Sequence, residues 1–413
     1  MSSYFTSDFF ASNRSALQKR LGTTVPIIIT GNGLMQRGAD EPFRFHQESN
    51  FWYLTGLNGP DLTLVITQKQ TYLIVPTLSA ERAAFDGAHD IAVYAARSGI
   101  DTILSVNEGW QKLKQDITHA KTVATLAAPP SHIKRHDLYT LPFRRRLIAK
   151  LKRLHPALEI QDIRMELASM RCTKQPVELR ALQQAIDITS ATLLDVASAK
   201  ALANVHHEYQ LEAAIGYGFR SRGAEGHAFS PIVGAGAHGT TLHYLENSGP
   251  LANNELIVLD VGASVEHYSA DVTRTVSQQP ITDRQAEVFR AVCAVQDFAL
   301  SQLKPGTLLN IYEKDIETYM GEQLQQLGLI NKPTHTAIRQ YFPHGTSHFL
   351  GLDTHDVGNY QQPLAENMVI TCEPGIYIPE EGIGVRIEDD VLITKTGYKV
   401  LSSACPRELT PVQ

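Results

Sequence analysis

Two acids placed symmetrically about a turn constrain this chain more than any other feature. Between His344 and Glu388 the sequence reads H-G-T-S-H-F-L-G-L-D-T-H-D, then T-C-E-P-G-I-Y, then G-V-R-I-E-D-D. Glu373 and Glu388 lie equally far from the centre of Pro379-Glu380-Glu381-Gly382. If that turn closes an antiparallel hairpin, the two carboxylates oppose each other on one face. Opposed acids repel unless a cation lies between them, and a metal ion is the simplest such cation.

A second pair leads to the same place. In E-L-I-V-L-D-V-G-A-S-V-E-H-Y-S-A-D-V-T-R-T, Asp260 ends a buried-strand run and Asp271 enters another, Val272 to Val276. They are symmetric about a turn between Val265 and Glu266, so the same hairpin argument applies. Four carboxylates from two hairpins, with one imidazole, form a hard, oxygen-rich site with room for two divalent ions. Mn or Co suits it better than a thiolate-loving metal.

At 413 residues, two domains are expected, divided here into 1–165 and 166–413. A charged fraction of 19% and an apolar fraction of 43% are those of a soluble globular protein. The net charge of −6 excludes nucleic acid as a main partner, because no basic excess exists to neutralise phosphates. Cys172, Cys293, Cys372 and Cys405 are scattered, without framework spacing, which fits a reducing compartment. No signal-like start and no long apolar run is read, so the expectation is a cytoplasmic protein without a membrane partner.

The first domain reads as α/β: an amphipathic helix over residues 7–21, then strands at 25–30, 62–67 and 72–76. The segment F-R-F-H-Q-E-S-N-F-W-Y-L-T-G reads as sheet core, or as a lip over a pocket. The basic run Arg144 to Arg153 reads as a solvated helix face. Pro176 opens a long helix and the second domain; further helices are expected near 207–222, 283–303 and 309–327. His206-His207-Glu208 looks like a ligand cluster by composition, but its position favours a helix cap or first turn. Two hairpins flanked by helix pairs hint at pseudo-symmetry. Gly234 to Gly239 matches G-x-G-x-x-G, yet turn signals and β-branched residues follow where a helix must begin. The glycines more simply let the backbone pass close to a pocket and deliver His243.

The C-terminal half resembles the pita-bread metallopeptidases, nearest to their proline-specific branch of aminopeptidase P and prolidase. The matching pieces are L-H-Y (242–244), L-D-V-G (259–262), S-A-D-V-T-R-T (269–275) and the three quoted from 344–390, all in family order. The N-terminal half resembles that branch's extra domain through F-R-F-H-Q-E-S-N-F-W-Y-L-T-G. The resemblance implies an α/β (α+β) protein, with a C-terminal pita-bread fold of antiparallel strands and helix pairs after an N-terminal α/β domain. That first domain would serve substrate access or oligomerisation.

Residue by residue, the resemblance makes Asp260, Asp271, His348, Glu373 and Glu388 the ligands of a dinuclear site, with Asp271 and Glu388 bridging. Manganese is the usual metal, with Co or Zn also compatible. It makes His243 and His355 the imidazoles around the substrate carbonyl, and Glu373 the candidate proton shuttle. His344 would line the proline pocket, Arg386 would hold a ligand carboxylate or a substrate group, and Tyr377 belongs with them as substrate-binding. Against each stands a plainer reading: a lone histidine is more often a satisfied core or surface residue, and Arg386 could simply neutralise the acids. Phe229 departs from the family, which often has a tyrosine there whose hydroxyl supports an aspartate ligand. The implied activity is an Xaa-Pro aminopeptidase acting on peptides with proline second; the alternative is a prolidase limited to dipeptides. A metal-free binding protein or creatinase-like chemistry would predict lost ligands, and all five positions are filled. A homodimer or homotetramer is implied, with exposed aromatics around Phe51-Trp52-Tyr53 as a place for the contact.

Overall fold

A computed structural model describes residues 3–126, 138–252 and 254–408. The chain divides into two compact units, Phe5–Ala168 and Met1–Tyr4 with Ser169–Gln413.

The first unit is built on six strands: β1 (Ile27–Thr30), β2 (Thr63–Ile66), β3 (Thr71–Val75), β4 (Thr102–Ser105), β5 (Thr122–Thr125) and β6 (Glu159–Asp162). They form one sheet in the order β4-β3-β2-β1-β5-β6, antiparallel at β1–β2 and β2–β3 and parallel elsewhere. The apolar runs expected as strands become β1, β2 and β3, and the opening helix spans Ser7–Leu21. In the helix Phe143–Leu154, Phe143, Leu147 and Leu151 recur one turn apart and are buried, leaving Arg145, Arg146, Lys152 and Arg153 exposed. This is the solvated basic face the pattern predicts.

The aromatic segment corrects its expectation twice. Residues Ser49–Thr55 form a helix, not a strand, capped by the Glu48 carboxylate on Phe51 N and closed by Gly56 in the left-handed conformation. Phe51, Trp52 and Tyr53 are buried, so they are no exposed contact surface. Trp52 meets Phe5 and Phe10 edge-on at 5.2 and 5.5 Å, and Tyr53 meets Phe9 at 5.8 Å. An aromatic run reads as strand by propensity; the caps on either side decide for helix.

The second unit is organised by two long hairpins. The first pairs β9 (Leu256–Val261) with β12 (Val272–Ser277) and, nearer its tip, β10 (Ala263–Val265) with β11 (Tyr268–Ser269). The second pairs β13 (Val369–Cys372) with β16 (Asp389–Ile393) and, nearer its tip, β14 (Gly375–Ile378) with β15 (Ile383–Arg386). Cys372 opposes Asp389 and Gly375 opposes Arg386, so one register runs through the second hairpin and sets Glu373 across from Glu388, as the symmetry predicts. Its turn is a short 3-10 segment, Pro379–Glu381, ended by Gly382 at φ +62°.

The first hairpin has a different register from the one expected. Asp260 opposes Thr273, and Val265 opposes Tyr268, so the turn centres on Glu266-His267 rather than on Val265-Glu266. Both turn residues have positive φ (49° and 68°), the two-residue geometry that matches strand twist. Asp271 therefore lies one strand period before Thr273, still on the face of Asp260 but diagonal to it.

The helices Asp283–Ser301 and Leu309–Gln326 pack Val288, Val292, Ile316 and Met320 over the second hairpin's Ile376 and Val385. The G-x-G-x-x-G run forms the end of β8 (Ile232–Ala235) and a 3-10 turn, Gly236–Thr240. β8 pairs antiparallel with β9, which excludes a dinucleotide-binding β-α-β unit. Among the described residues no helix is long and apolar enough to cross a membrane.

Candidate metal centre

The first hairpin's ladder is interrupted at Asp271 and the second's at Glu373 and Glu388, while Asp260 stays within β9; at the breaks the backbone amides cross between hairpins. Glu388 N donates to Thr273 O at 3.1 Å, and Asp271 N donates to Asp390 Oδ2 at 3.1 Å. Gly262 makes room opposite Asp271: a Cβ there would stand 1.8 Å from Ala270 O. The two acid pairs are thus brought together by one main-chain bond and by one from a main-chain amide to the Asp390 carboxylate.

Donor atoms of Asp271, His348 and Glu388 lie within 4.8 Å of one another. His348 Nε2 is 3.4 Å from Asp271 Oδ2 and 3.3 Å from Glu373 Oε1. Its Nδ1–H donates to Phe349 O at 3.0 Å, which turns Nε2 toward the acids. Asp260 Oδ2 accepts from Arg386 Nη2 at 2.6 Å, while Asp260 Oδ1 is buried without a hydrogen-bond partner. Burial and then the charge of Asp260 push the Asp271 carboxyl well above the ordinary range, and burial followed by Asp271 does the same to Glu388. Burial also raises Glu373. Such acids crowd together at a cost that a cation removes.

Arg386 is 3% exposed and spends Nη2 on Asp260, Nη1 on the Tyr377 hydroxyl at 2.8 Å and Nε on Thr273 Oγ1 at 3.3 Å. Burial opposes its charge; Tyr377 and Asp260 outweigh that and raise its pKa. Of its two expected partners, the structure places it on a carboxylate of the acid cluster. Tyr377 is buried too, between Arg386 and His344, whose Nε2 stands 2.8 Å from its hydroxyl. Burial, then the charge of Arg386, holds the His344 pKa down at about 3. The neutral ring donates Nδ1–H to Gly345 O at 2.7 Å and accepts from Tyr377 through Nε2. His355 is exposed, its ring edge-on to His348 at 4.4 Å. His243 is exposed, and its charge is among those that disfavour a charged His344.

Three further residues take part that sequence reasoning passed over. Thr273 donates to Glu388 Oε2 at 2.6 Å, and Thr371 accepts from His348 N at 3.1 Å while donating to Glu373 Oε1 at 3.3 Å. Asp271-x-Thr273 and Thr371-x-Glu373 are one strand period apart, a signal that alternation could have supplied. Glu313 accepts from Thr346 N and Ser347 N, both at 3.0 Å, and so holds the loop between His344 and His348. It sits on a distant helix, and nothing local in the sequence marks it.

The family model for Metallopeptidase family M24 matches residues 180–395, and that for Aminopeptidase P, N-terminal domain, matches 10–125. Among curated relatives, Xaa-Pro aminopeptidase 3 of Rattus norvegicus is 32% identical over 96% of this chain and 81% of its own length. Xaa-Pro aminopeptidase of Escherichia coli is 31% identical, covering 96% and 94%. Among solved structures, aminopeptidase P from E. coli with the inhibitor Pro-Leu superposes with a TM-score of 0.85 at 28% identity, covering 99% of this chain and 97% of that one.

Proposed function

The chain belongs to metallopeptidase family M24, with a pita-bread domain after an aminopeptidase P N-terminal domain, and from that premise we propose how it works as an Xaa-Pro aminopeptidase. It is a metallo-aminopeptidase that releases the N-terminal residue from peptides with proline second; the Xaa-Pro aminopeptidases of Rattus norvegicus and Escherichia coli match 96% of its length. The observation that carries the reading is the meeting of Asp271, His348 and Glu388 within 4.8 Å, with Glu373 beside them.

The donor set fits divalent metal. Four acids and the His348 Nε2 converge, and Asp260 Oδ1 is left without a protein partner. Asp260, Asp271, His348, Glu373 and Glu388 would hold two ions, manganese by preference in a site of hard oxygen donors. Bound there, the ions supply Lewis acidity that makes water nucleophilic near neutral pH.

Around them each side chain has its own task. Glu373 takes a proton from the attacking water and passes it to the proline nitrogen as the C–N bond breaks. That nitrogen is a secondary amine held in a ring, and it leaves only when protonated. His243 and His355, on exposed positions, donate to the carbonyl oxygen as its charge grows, each worth about 3 kcal/mol. His344, with both ring nitrogens engaged, offers its ring as a wall for proline. Arg386 and Tyr377 keep Asp260 and His344 in place beside the substrate. The four free cysteines support a cytoplasmic setting. The assembly we propose is a homodimer or homotetramer, with residues 1–165 serving substrate access or assembly.

The test is a release assay with Mn(II), comparing an Xaa-Pro dipeptide with an Xaa-Pro-Xaa tripeptide. Tripeptide cleavage lost on chelation is the expected result. Cleavage of the dipeptide alone would overturn the aminopeptidase reading.

A further inference from the structure

Glu208 ends the His206-His207-Glu208 run, and the chemistry above makes no use of it. The run does not converge as a ligand cluster. His207 caps the helix Glu208–Ser221 and stacks on Tyr209 at 5.0 Å, while Glu208 turns inward and is 0% exposed. Its carboxylate gathers four donors. Oε1 accepts from Ala235 N at 2.8 Å and His238 Nδ1 at 2.9 Å; Oε2 accepts from Gly249 N at 2.7 Å and the Tyr244 hydroxyl at 2.9 Å. All four lie in the segment from Ala235 to Gly249, at both ends and between.

His243 is in that segment, immediately before Tyr244. The Tyr244 ring stacks on His238 at 4.4 Å, and its hydroxyl also accepts from Ser248 N at 3.3 Å. A buried carboxylate is a costly group to desolvate. Here its four bonds have a common effect, fixing the backbone on either side of an exposed imidazole. We propose that Glu208, acting through Tyr244, is a positioning residue for His243. This rests on the role of His243 given above.

Tyr244→Phe is the conservative test, since it keeps the ring and its stack and removes only the hydroxyl. Glu208→Gln is the harsher companion, because it sets an amide NH2 against backbone donors. The assay measures kcat and KM on an Xaa-Pro-Xaa tripeptide in the wild-type and His243→Ala backgrounds, alongside Mn(II) affinity and the unfolding midpoint. The expected result is a kcat loss of about tenfold for Tyr244→Phe, with KM and Mn(II) affinity unchanged, and no further loss in the His243→Ala background. An equal loss in both backgrounds, a loss that follows Mn(II) affinity, or no loss at all overturns the positioning role. If His243→Ala itself cleaves like wild type, the assignment of His243 fails and this proposal with it, while the peptidase reading stands on the tripeptide result.

Discussion

The acids and the histidines of this site are held in opposite ways. Asp260, Asp271, Glu373 and Glu388 stand on two hairpins or at the breaks in their ladders, and bonds donated by the amides of Glu388 and Asp271 tie the hairpins together. His243, His344, His348 and His355 lie outside the strands, in segments tied down by buried or half-buried acids. Glu208 gathers the segment around His243 and Glu313 the one between His344 and His348. Asp356, next to His355, is gripped by Arg171 and Lys174. Strand register is a stiff way to place ligands for ions; tethered loops suit groups that must meet a changing substrate.

Changing the acid floor, or His348 whose Nε2 stands against it, should therefore stop the chemistry, while changing the rim of His243, His344 and His355 should only slow it. The largest effect is expected from Glu373→Ala, which keeps the fold by circular dichroism and lowers turnover by at least about a thousandfold. Activity within tenfold of wild type would remove Glu373 from the proton path. Asp271→Asn sharpens the contrast through stability. Without metal it relieves crowding among buried acids, so its unfolding midpoint should exceed that of the metal-free parent by a few degrees. With Mn(II) the order should reverse, because the parent gains more from binding. A variant that is less stable in both states would mean that Asp271 is held by its protein contacts alone. Next comes His355→Ala, expected to cost about a hundredfold in kcat while Mn(II) affinity, read by titration calorimetry, stays put. A large fall in affinity would place His355 with the ligands and erase the distinction between floor and rim.

The same division decides what was legible in the sequence. Strand-borne features follow from local rules, so the register of Glu373 and Glu388 could be read from the spacing about their turn. The turn of the Asp260 hairpin lies one position beyond the one its spacing predicts, because Glu266 and His267 both adopt positive φ, which a glutamate does not advertise. Helix starts at Ser7, Pro176 and Asp283 were visible through patterning and caps. The aromatic helix Ser49–Thr55 was hidden, since its propensities favour a strand and its caps are a Glu and a Gly with no strong signature. The supports of the histidine loops were hidden for a different reason. Glu208 and Glu313 act across tens of residues in sequence, Glu313 through backbone amides and Glu208 through two amides and the side chains of His238 and Tyr244. Long-range hydrogen bonding to main chain leaves no local pattern.

The smallest effect tests the floor's weakest point. Asp260 is the acid of the floor whose Oδ1 has no hydrogen-bond partner, and the ring of Phe229 carries no donor to offer it. That ring packs against Gly262, two residues beyond Asp260, so closely that a Cβ there would lie 2.9 Å from Phe229 Cε1. Phe229→Tyr adds a hydroxyl to a ring already seated at the end of β9. A second donor on Asp260 orients its carboxylate and should raise Mn(II) affinity by up to about tenfold, with kcat nearly unchanged. Unchanged affinity would mean that Arg386 alone fixes Asp260 and that Oδ1 is satisfied by the ion itself. Weaker binding would mean that the apolar ring is what keeps water from that oxygen, and the floor would then owe its stiffness to packing as much as to hydrogen bonds.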